Sequence, residues 1–119
     1  MRPRIISWNV RGLNKRDKRL RVSNWLRDWK ADIVCLQETK LKGLSSNIIY
    51  SLWGRSHMDW CCVDSIGASG GILIMWGNRV VEKVEECVGD YSLVVTFRNV
   101  VDRAVWAFAG VYGPNFDSN

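Results

Sequence analysis

The stretch IISWNVRGLN, Ile5 to Asn14, decides how the rest of the chain is read. Its apolar start alternates too little for a half-exposed strand and is short enough for a buried one, so Ile5 to Val10 is expected to be a strand with Ile5 and Ile6 in a sheet core. The strand then presents Asn9 and Arg11 before turning at Gly12. Beyond the turn, Asn14 followed by Asp17 has the pattern of an N-cap with an acidic first turn, and Val22, Trp25, Leu26 and Trp29 recur at helical spacing. This predicts an amphipathic helix of roughly three to four turns whose apolar face carries both tryptophans.

The next segment, ADIVCLQET from Ala31 to Thr39, has a continuous apolar core from Ile33 that ends at Gln37 and Glu38. It fits a buried strand with a polar C-terminal edge. Strand, helix, strand is a βα unit feeding a second, parallel strand. Further on, LSSNIIYSLWG reads as a short helix before Gly54, MDWCCVDS as a strand, and ILIMW from Ile72 to Trp76 as another, followed by a turn at Gly77 and Asn78. Glycines 67, 70 and 71 precede that strand with no GK[ST] after them, which excludes a phosphate-cradling P-loop. RVVEKVEECVGD, YSLVVTFRNV and RAVWAFAGVYGPN complete the pattern as three antiparallel strands, with a turn at Asn99 to Asp102. There is no internal repeat, linker or low-complexity segment. The expected class is a single α+β unit.

The 119 residues are 47% hydrophobic and 24% charged, the composition of an ordinary globular domain. No apolar run reaches the roughly 18 residues of a membrane span, so no membrane partner is expected. Cys35, Cys61, Cys62 and Cys87 form no CxxC pair and are read as reduced, mostly buried small hydrophobes of an intracellular protein. The net charge of +5 is localised: residues 1–30 hold ten Lys or Arg against Asp17 and Asp28, a balance of +8. A cationic patch of this kind suits a phosphate backbone, although a solvated helix face accounts for the charge equally well. Trp25, Trp29, Trp76 and Trp106 fall on apolar faces and are read as core rather than as base-stacking groups.

If the first two strands are parallel neighbours, Asn9 and Glu38 both arrive at the carboxyl edge of the sheet, where sites in α/β architectures sit. A carboxylate and a carboxamide oxygen are hard ligands suited to Mg²⁺. SWNVRGLN, ADIVCLQETK, SGGILIMW and VYGPN, in this order and approximate spacing, resemble the endonuclease/exonuclease/phosphatase superfamily of deoxyribonuclease I-like fold. The nearest likeness is to the endonuclease domain of plant LINE-type (non-LTR) retrotransposons. The resemblance covers nearly the whole chain.

It implies the N-terminal half of a four-layer α/β sandwich, with residues 1–119 as a partial domain. It also implies metal-dependent phosphodiester hydrolysis, with Mg²⁺ (or Mn²⁺) as cofactor and DNA as partner. By position, it gives Asn9 a role in organising the metal and phosphate site, Glu38 the metal-binding carboxylate, Tyr112 a hydrogen bond to the scissile phosphate, and Asn115 a place lining the DNA cleft. Lys40 beside Glu38, and Arg11, would contact phosphate. Some family members carry Asp at the position of Arg11, whereas retrotransposon-type sequences often carry Arg. His57 in GRSHMDW lies outside every motif.

The family's second half would supply a GDFN-type segment and a late Asp-His pair, which nothing after YGPN matches. The chain is therefore expected to be inactive by itself, and nuclear if functional. A non-catalytic nucleic-acid-binding fragment or a non-functional retrotransposon remnant is the alternative. Since the two halves of the fold are expected to contribute one sheet each, a bare apolar sheet face and self-association through it are expected as well.

Overall fold

A computed structural model describes residues 2–65 and 70–111. The elements run β1 (Ile5–Asn9), α1 (Arg16–Trp29), β2 (Ile33–Gln37), α2 (Ser46–Trp53), β3 (Met58–Val63), β4 (Ile72–Gly77), β5 (Val81–Val88), β6 (Ser92–Asn99) and β7 (Val105–Val111). A four-stranded sheet has the order β1-β2-β4-β3, and a three-stranded sheet the order β5-β6-β7. β1 and β2 are parallel, with Ile5 opposite Ile33 and Asn9 opposite Gln37. All other pairings are antiparallel.

The central strands are apolar on both faces because both faces are covered. On one side Val34, Leu36, Leu73 and Met75 meet Val22 and Leu26 of α1 and Ile49, Leu52 and Trp53 of α2. On the other, Ile33, Cys35, Ile72, Ile74 and Trp76 meet Val81, Leu93, Val95 and Phe97 of the second sheet. The described chain is therefore three layers: helices, a mixed sheet and an antiparallel sheet. α2 is started by Ser45, whose Oγ accepts from Ile48 N at 3.3 Å, and stopped by Gly54 in the left-handed conformation. The two helices are tied by Ser23 Oγ donating to Ser51 O at 2.8 Å.

Four expectations change. Both sheets come from this one stretch of chain, so the inner sheet faces cover each other; the face left bare is the outer face of the second sheet, where Val105, Ala107, Ala109 and Val111 are exposed. β1 is an edge strand among the described residues: Ile5 is 42% exposed, because the second sheet reaches only as far as β2 and β4. Asn14 does not cap α1. The N-cap position falls on Lys15 with no side-chain bond, and Arg19 instead donates to Leu13 O at 2.8 Å and Asn14 O at 3.0 Å. Finally, Trp25 and Trp29 are 48% and 38% exposed, because only Val22, Ser23 and Leu26 of α1 are buried.

The sheets approach closely at β7. A Cβ added at Gly110 would collide with Ile72 Cδ1 and stand 3.0 Å from Cys35 Sγ, so a side chain here would displace the buried Ile72 side chain from its packed position. Gly110→Ala should destabilise the protein by about 1–3 kcal/mol in urea denaturation, as overpacking does. The buried thiols give a second expectation. Burial pushes Cys35 up to about 11, against a Ser7 hydrogen bond that lowers it, and burial reinforced by Glu86 pushes Cys61 up to about 12. The folded chain keeps these protons after the unfolded chain releases its own near 9.0, so stability should be flat below that pH and fall as pH rises toward 11 to 12. At pH 8 a thiol reagent should label exposed Cys87 quickly, and Cys35 and Cys61 only on unfolding.

Candidate active site

The parallel pairing of β1 and β2 does not stop where the strands end. Val10 N donates to Gln37 O at 3.0 Å, Gly12 N to Glu38 O at 2.7 Å and Leu13 N to Thr39 O at 2.9 Å, so the two exit turns remain zipped together. Buried Val10, Leu13 and Thr39 anchor these turns, with Arg11 exposed and Glu38 and Lys40 half-buried beside them. That alternation requires unusual backbone. Arg11, Glu38 and Lys40 have φ of 54°, 55° and 56°, three of the six non-glycine left-handed residues among those described. Each such conformation costs about 1–3 kcal/mol and persists only where surrounding bonds enforce it.

A third segment closes the constellation. Thr39 N donates to Gly71 O at 3.3 Å and Lys40 N to Gly70 O at 2.9 Å, bringing the entry to β4 against the exit of β2. Gly71 itself has φ of 90°, and a Cβ there would collide with Thr39 Oγ1, a buried hydroxyl with no hydrogen-bond partner among the described residues. Gly70 and Gly71 thus let this segment pack against the site.

Asn9 is exposed, and its Oδ1 accepts from Arg11 N at 3.1 Å, which fixes the carboxamide within the β1 exit turn. Glu38 stands at the same sheet edge, one residue beyond the partner of Asn9. Asn9 and Arg11 line a groove of about 550 Å³ with Trp8, Lys18, Arg21 and Trp25. Arg11 and Lys40 line an adjoining groove of about 480 Å³ with Lys15, Lys18 and Arg21. Glu38 lines neither. Tyr112 and Asn115 lie outside the described residues, but the preceding Val111 O accepts from Gln37 Nε2 at 2.9 Å, so β7 arrives at the same end of β2.

Sequence reasoning treated Gln37 as a mere polar edge, whereas it joins the two sheets beside Glu38. Its placement between apolar Leu36 and Glu38 was the available signal. Lys18 and Arg21 face the grooves, while Arg19, on the same basic helix, is committed to the turn carbonyls. His57 precedes β3, and Met58 pairs with Gly77 at the far end of the sheet, opposite the edge that holds Asn9 and Glu38.

Among the described residues no three His, Cys, Asp or Glu side chains cluster as a metal cage. One carboxylate with a carboxamide oxygen nearby fits a hard divalent ion that keeps most of its water and takes further oxygens from a phosphate, and does not fit Zn²⁺.

Residues 6–112 match the model of the Endonuclease/Exonuclease/phosphatase family. A 39-residue stretch is 44% identical to an exodeoxyribonuclease of Bacillus subtilis, covering 33% of this chain and 16% of that protein. The fold is similar to that of the AP endonuclease LMAP from Leishmania major, with a TM-score of 0.67 and 19% identity over 92% of this chain and 40% of that one. It is also similar to that of ANGEL2, a 2′,3′-cyclic phosphatase, with a TM-score of 0.73 and 13% identity, again over 92% and 40%. The chain spans less than half the length of each of these proteins. From the match over most of its length and the two-sheet architecture, the chain belongs to the Endonuclease/Exonuclease/phosphatase family, a superfamily of metal-dependent phosphodiesterases, nucleases and phosphatases with the deoxyribonuclease I-like fold.

Proposed function

We propose that the chain carries the phosphate- and metal-binding part of a Mg²⁺-dependent DNA endonuclease, and that it is inactive until a water-activating base is supplied by a further part of the domain. The observation that carries this reading is the zipped pair of exit turns, which holds Asn9, Arg11, Glu38 and Lys40 at one sheet edge beside the cations of α1. Glu38 is the ligand of the ion, with Asn9 beside it. When bound, that ion supplies charge neutralisation on a phosphate oxygen. Arg11 and Lys40 offer charge-assisted hydrogen bonds to the flanking phosphates, and Lys18 and Arg21 extend the positive surface along the backbone without reading sequence. Tyr112 and Asn115 join the site as phosphate and cleft contacts on the strength of the family motif.

Phosphodiester hydrolysis also needs a base for the attacking water. His57 is at the wrong end of the sheet, and Glu38, the carboxylate at the edge, is taken by the ion in this reading. Residues 1–119 are accordingly one part of a single domain. The retrotransposon-like WNVRGLN, with Arg11 where some family members carry Asp, and the basic first helix favour DNA as the substrate, with the nucleus as the place of action in this proposal. The second reading, a DNA-binding fragment without catalysis, is favoured by the same cationic grooves.

The two readings separate on Glu38. Joined to the C-terminal half of a family member, the chain should nick plasmid DNA only with Mg²⁺ or Mn²⁺, and Glu38→Ala should lower nicking about a hundredfold or more. The unjoined chain should bind DNA with an affinity that falls with salt, and Lys18→Ala and Arg21→Ala should lower both the affinity and the salt slope. A folded, joined protein that binds DNA but never nicks it leaves the binding-fragment reading.

A further inference from the structure

Gln37, the last residue of β2, is tied to three other segments of the chain. Its backbone pairs with Asn9 of β1 on one side and with Ile72 of β4 on the other. Its carbonyl accepts from Val10 N at 3.0 Å. Its side-chain Nε2 donates to Val111 O at 2.9 Å, joining positions 74 residues apart. This half-buried residue is a node between β1, β4 and the end of β7, and Glu38 follows it directly.

Strand alternation puts Ile33, Cys35 and Gln37 on the face of β2 that meets the second sheet, where Ile33 and Cys35 are packed into the apolar layer. An aliphatic side chain at position 37 would extend that layer equally well. The amide supplies what an aliphatic chain cannot, a donor for a main-chain carbonyl. A lysine or arginine would also donate, but would place a cation beside Glu38 and oppose a divalent ion there. The neutral amide donates and adds no charge. Close approach at Gly110, against Ile72 and Cys35, brings the end of β7 within its reach. What the bond fixes then follows from covalent geometry. The Val111 carbonyl belongs to the planar peptide group that links Val111 to Tyr112, just as the Gln37 carbonyl held by Val10 N belongs to the one that links Gln37 to Glu38. Gln37 therefore orients both the peptide leading to Glu38 and the peptide leading to Tyr112, which itself lies outside the described residues.

We infer that Gln37 is a positioning residue, which sets the phosphate contact of Tyr112 in register with the ion held by Glu38. This rests on the endonuclease reading above and adds to it the side chain through which the second sheet acts on the site. Gln37 touches neither ion nor phosphate; its effect passes through the two peptide groups that it orients.

The test is a double-mutant cycle on the full chain, read as affinity for a fluorescein-labelled DNA duplex in Mg²⁺. Gln37→Met keeps the length and packing of the side chain but cannot donate. Gln37→Met and Tyr112→Phe should each lower affinity about 3- to 10-fold, and together no more than either alone, because the first acts through the second. Combined with Lys18→Ala, which shares no partner with it, Gln37→Met should instead multiply the losses. Gln37→Asn, which keeps the amide but draws it back by one methylene, should reproduce the effect of Gln37→Met. A folded Gln37→Met or Gln37→Asn variant that binds like wild type, a Tyr112→Phe variant that does so, or losses at Gln37 and Tyr112 that multiply would each overturn the positioning role. Unfolding of both Gln37 variants would overturn it too, since the bond then serves stability alone. In all these cases wild-type binding that needs Mg²⁺ and is weakened by Glu38→Ala leaves the endonuclease reading standing, whereas binding indifferent to both removes the ion site and the positioning role together.

Discussion

The parallel pairing of β1 with β2, continued past the strand ends by three backbone hydrogen bonds, is the constraint on which the rest of the site depends. Ordinary strands diverge into separate loops once their ladder ends. Here the ladder carries on through Val10, Gly12 and Leu13 on one side and Gln37, Glu38 and Thr39 on the other, with buried side chains pinning alternate positions. The polar residues between the pins are thereby held at one sheet edge. Left-handed backbone at Arg11, Glu38 and Lys40 is the local cost of that arrangement, offset by the hydrogen bonds and by the burial of Val10 and Leu13. Three segments thus meet at one strained edge, with a basic helix beside it.

Layering supports this edge from both sides. Helices cover one face of the four-stranded sheet and the second sheet covers the other, so β2 and β4 are immobilised between two cores. The second sheet also reaches the site directly, through the bond from Gln37 to the last described residue of β7. Close approach at Gly110 sets the spacing between the sheets there. Fold and site are thus coupled at the same end of the molecule, through the Gln37 side chain and the close packing at Gly110.

Much of this was legible in the sequence, and for definable reasons. The central strands announced themselves because burial on both faces demands unbroken apolar runs, as in Ile33 to Leu36 and Ile72 to Trp76. β7 was legible from the alternation of Val105, Ala107, Ala109 and Val111 with Trp106 and Phe108, and the turn before it from Asn99 to Asp102. Asn9 and Glu38 were placed at one edge because parallel neighbours must end at the same edge. What failed was everything set by the reach of one layer over another. Helical periodicity identified Trp25 and Trp29 as an apolar stripe but says nothing of how far the sheet beneath extends, and β1, at that sheet's edge, gives them only Trp8. The same edge position leaves Ile5 exposed. Nor does any local pattern tell that β5, β6 and β7 fold back over β4, so the cross-sheet pairing that covers the core was missed. At the start of α1, an arginine side chain took over the carbonyls of a turn for which a capping asparagine had been expected.

The central claim is that Glu38 and the β1 exit turn hold a divalent ion at this edge. Its most direct measurement is the relaxation enhancement of backbone amide resonances on titration with Mn²⁺, a paramagnetic stand-in for Mg²⁺. Broadening centred on residues 9–12 and 38–40, and abolished by Glu38→Ala, is the predicted result. Broadening centred instead on the carboxylates of β5, or unaffected by the loss of Glu38, would contradict it.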